Sequence, residues 1–472
     1  MPKTCIICGL RAGSKEHIFP AAFGGRRTNR GIYCGRHNEA FGRHVSSLLE
    51  ALDFINAAIG VIPDHHDDVR PAPIESADGA KLLLSKGRVA IAPPPPMDST
   101  PELLGRPVVM SFSDITQAEK WIARQREAGY ELEVGRPGEV KTRLLTEPLH
   151  VKRELGDESF MRAVVYLTLT FLAHRFPREA KAAGLLRSRN IVEMDLSPGE
   201  RVWWERPGSL AQLSPNPFEH GHTVAIAVDG ATGKVSALLS LYGAIQFGVD
   251  LGETTLANTS RATTHIDSLA ARPPDDIWEI REDGETLVLA TPEEGRRYIV
   301  EVTSGQVEHP FSRTFRAAND ADLAEAAETL LPQLLECQRL PHADRSIALM
   351  AAISSQDQRI FNLLKNGLAA FEQVATDVPG EIHKALRLLV AGDDSSSRSI
   401  SPDSETALYV TKAFIADEIR KQLEAGSLDV VWLAGMLSGR EQFGIALAGV
   451  IRQVLRGFFR ADRVPTPHGA ER

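Results

Sequence analysis

Cysteine is scarce in this chain, four residues in 472, so a disulfide scaffold is excluded as its source of order. Long apolar runs are missing too. The longest, Ala163 to Ala173, falls well short of the roughly 20 residues that a membrane span needs. Met1-Pro2-Lys3 is followed by no apolar signal core, and the expectation is a protein made and kept in the cytoplasm, with no membrane partner. No phosphate-binding P-loop, no G-x-G-x-x-G fingerprint and no G-x-S-x-G elbow occurs, which argues against a nucleotide-driven motor or a hydrolase of that type. Positive charge is in deficit: 53 Lys and Arg face 62 Asp and Glu, a net of −9. Bulk charge alone would not hold such a chain on nucleic acid or membrane.

The 43% hydrophobic content is enough to bury a core in each of the two to four domains that this length suggests at roughly 100–200 residues apiece. The deficit of positive charge is also uneven. Residues 1–49 carry Lys3, Arg11, Lys15, Arg26, Arg27, Arg30, Arg36 and Arg43 against only Glu16 and Glu39, a balance of +6, and the remainder is left with −15. A cationic end on an anionic body is the pattern of a protein that meets a polyanion through one end.

Three of the four cysteines lie in that same end. Cys5-Ile6-Ile7-Cys8 is a C-x2-C pair, and Cys34-Gly35-Arg36-His37 supplies a C-x2-H pair. Three thiolates and an imidazole suit a closed tetrahedral zinc site, which would hold together a segment too small to fold on a core of its own. Gly9 provides the turn after the first pair. Between the pairs stand Glu16-His17-Ile18-Phe19-Pro20, Gly24-Gly25 and Asn29, and Asn38 follows His37.

In these residues, EHIFPAAFGG, then Asn29, then CGRHNEAFG, the chain resembles the HNH endonuclease family over about residues 3–50. Two departures are visible: the fourth zinc ligand is His37 where the family usually has Cys, and Asn38 stands where the last His often stands. The resemblance implies a ββα-metal fold in which Glu16 and Asn38 hold a catalytic cation. An asparagine oxygen favours Mg²⁺ or Mn²⁺ there over zinc. It further implies that His17 is the general base, that Asn29 holds His17 in its working orientation, and that Arg26, Arg27, Arg30 and Arg43, with Arg36, are candidate phosphate clamps. The partner implied is DNA, double-stranded and read with weak sequence specificity. His44 is the fallback for a missing imidazole ligand, and otherwise a polar residue on the helix.

The expected fold class is α+β and multidomain: an HNH-type module over 1–60, a central mixed α/β region with an antiparallel sheet over 61–330, and an all-helical region over 331–472. Helices are predicted over Phe41 to Ile62, Ile115 to Gly129 with Asp114 as cap, Asp157 to Phe176 and Ala321 to Leu340. Further helices are predicted near 343–374, 379–391, 404–425, 428–438 and 440–460, with a Ser- and Asp-rich loop over Asp393 to Ser401. Strands are predicted in Lys81 to Ile91, Val108 to Phe112, Tyr130 to Val134, His222 to Val228, Val235 to Leu241, Gly248 to Leu251, Ile277 to Ile280, Thr286 to Ala290 and Arg297 to Val302. Pro63-Asp64-His65-His66-Asp67-Asp68 reads as a polar exit loop, with metal binding as its alternative, His220 and His222 as a histidine pair without a third ligand, and Cys337 as core.

The function expected is a metal-dependent DNA endonuclease with an appended body that senses an activating ligand or partner protein, in the setting of bacterial defence. The alternatives are a zinc-stabilised adaptor with an idle Glu-His pair, and a nuclease acting on RNA.

Overall fold

The structure is a computed structural model that describes residues 3–64, 66–76, 79–99, 105, 109–135, 144–145, 149–255, 258–270, 277–364 and 402–439. It is a mixed α/β chain with antiparallel sheets and a helical C-terminal region, divided into two compact units. One unit comprises 1–128 and 150–318, the other 129–149 and 319–472. No helix among the described residues is long and apolar enough to cross a membrane.

The first unit is built around one helix. In α4 (Glu158–Arg175) twelve of eighteen residues are buried, so it is apolar all round rather than amphipathic, the mark of a helix inside a core. Asp157 caps it by accepting from the Phe160 N–H. One side of α4 packs on a six-stranded antiparallel sheet of order β12-β11-β8-β9-β10-β7. Its strands are β7 (Val202–Trp204), β8 (His222–Val228), β9 (Lys234–Leu241), β10 (Ile245–Glu253), β11 (Ser260–Ile266) and β12 (Ile277–Asp283). Alternate residues of β8 feed opposite faces: Val224, Ile226 and Val228 enter the main core, while Ala225 joins Leu238 and Leu213 in a smaller one behind the sheet.

The N-terminal segment packs into that same main core. It consists of β1 (Glu16–His17), β2 (Thr28–Asn29), α1 (Gly35–Ala40) and α2 (Gly42–Ile59). Ile18, Phe19, Phe23, Ile32, Tyr33, Phe41, Leu48, Leu52 and Ile55 cluster with α4 and the sheet, so the core shows no break at residue 60. The Tyr33 hydroxyl meets Thr170 Oγ1 at 2.9 Å. Gly24 (φ +86°) and Gly25 explain the paired glycines: a Cβ on Gly24 would lie 2.7 Å from the Ser268 Cα, and one on Gly25 2.6 Å from the Phe19 carbonyl carbon. A four-stranded sheet of order β5-β4-β3-β6 completes the strands, from β3 (Ala72–Ser76), β4 (Lys81–Ser85), β5 (Arg88–Ile91) and β6 (Leu149–His150).

Four predicted strands are not strands. Residues 109–112 and Tyr130 to Val134 lie in no sheet. Thr286 to Ala290 pairs with no strand, and side chains take its backbone: Gln212 bonds both the N–H and the carbonyl of Val288 at 2.8 Å, and Glu205 accepts from the Ala290 N–H. Arg297 to Val302 is helical, within α6 (Pro292–Thr303), because Thr291 and Glu294 form a capping box with Pro292 in the first turn. The cap on α3 (Ile115–Glu127) is Asp114, as expected. In the second unit, α7 (Pro310–Cys337) from residue 319, α8 (His342–Ser354), the helical turns at 357–364, α9 (Pro402–Ala425) and α10 (Val430–Ser438) share a core that includes Leu330, Ile353, Phe361, Ile419 and Met436. The helices expected at 379–391 and 440–460, the loop at Asp393 to Ser401, His65 and Val108 lie outside the described residues.

Candidate metal centre and catalytic cavity

The cysteine pairs converge. Cys5 N–H donates to the Leu10 carbonyl at 2.7 Å and Gly9 N–H to the Cys5 carbonyl at 3.0 Å, with Gly9 at φ +72°, which closes the first turn. The second pair begins α1, with Cys34 as its N-cap. The ligand atoms of Cys5, Cys8, Cys34 and His37 all lie within 4.8 Å of one another. His37 Nδ1 is 3.5 Å from Cys5 Sγ and 3.3 Å from Cys34 Sγ, and Cys8 Sγ is 3.8 Å from Cys34 Sγ. Four ligands placed about 2.0–2.3 Å from one tetrahedral centre have such separations, so this group could hold a metal ion. Among the described residues no other group of three or more His, Cys, Asp or Glu side chains converges in this way.

Glu193, the last residue of α5 (Leu186–Glu193), completes the centre by accepting from His37 Nε2 at 3.0 Å. That bond places the ring proton on Nε2 and turns the Nδ1 lone pair to the thiols. Burial alone would raise the Cys34 thiol, but the hydrogen bond from the His37 backbone N–H, and hydrogen bonding with the side chains of His37, Cys8 and Cys5, bring it down to about 7.

Beside this centre, Glu16, His17, Asn38, Asp53, Asp64, Arg70 and Tyr166 line a cavity of about 380 Å³. Hairpin β1–β2 sets Glu16 opposite Asn29 and His17 opposite Thr28. Alternation then separates the side chains. Glu16 and Asn29 turn to α4: Tyr166 donates its hydroxyl to Glu16 Oε1, and Asn29 Nδ2 donates to His174 Nδ1 at 3.0 Å. His17 turns the other way, to Asp64, with Nε2 3.0 Å from Oδ2. Glu16 is 6% exposed, and burial pushes its carboxyl up to about 7, the Tyr166 hydrogen bond pulling the other way.

A divalent cation in this cavity fits Asn38, whose Oδ1 is buried without a hydrogen-bond partner, an arrangement that calls for an explanation in a folded protein. Tyr166 occupies Glu16 Oε1, leaving Oε2 as the oxygen that a cation would take.

Several expectations are corrected. Asn29 does not orient His17: its Nδ2 is on His174 and its Oδ1 accepts the Gly31 N–H at 2.7 Å. Arg26 is not a phosphate clamp. Its side chain is 7% exposed and donates to Asp64 Oδ1, the Ile62 carbonyl and the Ala270 carbonyl. Arg43 is likewise committed, to Asp195 and to the carbonyls of Ala40, Val192 and Glu193. Arg27 is half-buried, and Arg30 and Arg36 are exposed, with Arg36 Nη2 3.8 Å from Glu193. His44 is not a ligand but a residue of the helix α2, and a buried one: it is 2% exposed, donates from Nε2 to the Val192 carbonyl at 2.9 Å, and burial brings it down to about 4. His222 is enclosed by Phe19 and Tyr242 at ring distances of 4.5 and 4.7 Å, and Cys337 is in the second unit's core as expected.

Nothing local in the sequence marks Tyr166, which reads as part of an apolar helix, or Glu193 as a partner of the site. Asp64 does have a local signal, the acidic and histidine-rich run Pro63 to Asp68. No protein-family model, no curated protein and no solved structure matches the chain.

Proposed function

We propose that this chain is a metal-dependent endonuclease of the HNH type that hydrolyses phosphodiester bonds in DNA, with the remainder of the chain as its regulatory or targeting body. The observation that carries this reading is the meeting of Glu16, His17 and Asn38 around one cavity, with Asn38 Oδ1 buried and unpartnered. Cys5, Cys8, Cys34 and His37 would hold a structural zinc ion, since three thiolates and an imidazole leave no open position.

Glu16 and Asn38 would hold Mg²⁺ or Mn²⁺, which when bound supplies Lewis-acid stabilisation of the charge that builds on the phosphate. Two protein oxygens and several waters are the usual holding set for Mg²⁺. His17 takes a proton from a water molecule as the water oxygen bonds to phosphorus. The phosphorus bond to the departing sugar oxygen breaks, and that oxygen takes a proton from solvent. Phosphate contacts fall to exposed cations: Lys15 and Arg70, which line the cavity, and Arg30. Contacts of that kind set register without reading bases.

One observation favours a second reading, a zinc-stabilised adaptor with an idle Glu-His pair. Glu16 is sealed against Tyr166, and a carboxyl so held is a poor ligand until it exchanges that bond. Incubation of the full-length protein with supercoiled plasmid and Mg²⁺ or Mn²⁺ separates the two. The nuclease reading expects nicking that falls about 100-fold or more in His17→Ala. No cleavage with either metal, or equal cleavage by both proteins, would leave the adaptor.

A further inference from the structure

We propose that Asp64 is the positioning residue of His17 and takes the place that the family pattern gives to an asparagine. This inference rests on the nuclease reading for its catalytic meaning, but the orientation itself can be read without any cleavage.

The two oxygens of Asp64 are used separately. Oδ2 lies 3.0 Å from His17 Nε2, and Oδ1 accepts from Arg26 Nη1 at 3.2 Å. Arg26 is itself fixed. Its Nη2 donates to the Ile62 carbonyl at 2.8 Å and its Nε to the Ala270 carbonyl at 3.1 Å. The Asp64 backbone N–H donates to the Ala21 carbonyl at 3.2 Å. The carboxylate is therefore held from its backbone and from one oxygen while the other oxygen meets the imidazole. A guanidinium with its donors so engaged is a rigid support, which gives Arg26 a use inside the protein in place of a role on DNA.

The chemistry follows from which nitrogen the carboxylate meets. An anion at Nε2 selects the tautomer with its proton there, so the basic lone pair of the neutral ring is on Nδ1. When Nδ1 accepts the proton of the attacking water, the imidazolium is formed beside a fixed negative charge and is stabilised by it. A buried carboxylate performs this service for the histidine of serine hydrolases, where replacement by the isosteric amide turns the ring to the wrong tautomer. Asn29 cannot do it here. It is the cross-strand partner of Glu16, on the face of the hairpin that meets α4, and its amide is bonded to His174 and Gly31.

The test uses full-length protein with ¹⁵N-labelled histidine, as wild type, Asp64→Asn, Asp64→Ala and Asn29→Ala. The ring-nitrogen spectrum of His17, assigned by its loss in His17→Ala, reports the tautomer, and plasmid cleavage reports kcat and KM. The proposal expects the Nε2–H tautomer in wild type and its loss in both Asp64 variants. It also expects kcat to fall by about 100-fold or more with KM within about two-fold. Asp64→Asn, equal in size and still able to accept from Arg26, serves if Asp64→Ala does not fold. An unchanged tautomer and kcat in Asp64→Asn would overturn the proposal, as would loss of the tautomer in Asn29→Ala alone. If no protein cleaves but the tautomer still depends on Asp64, the nuclease reading falls and the positioning stands.

Discussion

The Tyr166 hydroxyl donates to the carboxylate of Glu16, from the middle of α4 and across 150 residues of sequence. Both groups are nearly inaccessible to water, 3% and 6% exposed, so each is the other's main compensation for burial. Removing the hydroxyl alone leaves a buried carboxyl without its donor. Tyr166→Phe, Glu16→Met and the double variant, compared by urea unfolding, should give a coupling energy of about 1–3 kcal/mol. A coupling near zero would mean that the contact contributes nothing to stability.

The Glu193 bond to His37 ties the candidate metal centre to α5. Glu193→Gln should keep the fold and weaken metal binding by about 10–100-fold in competition with a chelator. Cys34→Ser should abolish metal binding at the site and lower the unfolding temperature, because Cys5 belongs to the main core and Cys8 and Cys34 pack against it. Metal content and melting measured together check both, and retained metal in Cys34→Ser would remove that residue from the ligand set.

Acid should destabilise the fold through two buried histidines. Burial lowers His222 to about 3 and His44 to about 4, both below the ordinary 6.5. A depressed histidine is bound in its neutral form, so its contribution is present above pH 6.5 and is lost as the pH falls towards the folded value. Between pH 7 and pH 5 each should take away about 2 kcal/mol, with proton uptake on unfolding. Urea midpoints of wild type and His222→Phe compared across this range check it: the variant should lose about 2 kcal/mol less than wild type between pH 7 and pH 5.

The paired glycines differ from the helix glycines in what they predict. Gly24→Ala puts a Cβ against Ser268 in a left-handed conformation, and should cost about 3 kcal/mol or more. Gly42→Ala, in the first turn of α2 with nothing within 4 Å of its Cβ, should stabilise by about 0.5 kcal/mol. Thermal unfolding of the two variants side by side decides it.

Local spacing made part of this legible. Two pairs of ligands three residues apart, a capped helix of apolar residues from Glu158 to Arg175, and the β8–β9 hairpin closed by Asp229-Gly230 and Thr232-Gly233 each write their geometry into neighbouring positions. Partners from distant segments leave no such trace. Asp64 is 47 residues from His17, His174 145 from Asn29, and Glu193 156 from His37. Where two local signals competed, at Arg297 to Val302, alternation suggested a strand and the capping box at Thr291 decided for a helix. Charge misled in a different way, since a basic residue looks the same in sequence whether it faces solvent or, as Arg26 does, its own backbone.

The reach of Arg26 to Ala270 spans 244 residues, and this sets an order of events during synthesis. At 5–20 residues per second the second group leaves the ribosome roughly 12–50 s after the first. Ribosome-arrested chains ending before and after residue 270 should accordingly differ in protease protection of residues 3–60. The cationic end is made first, yet the support beneath Asp64 and His17 is completed only when most of the first unit has emerged. An unfinished chain thus carries every residue of the motif without the assembled cavity.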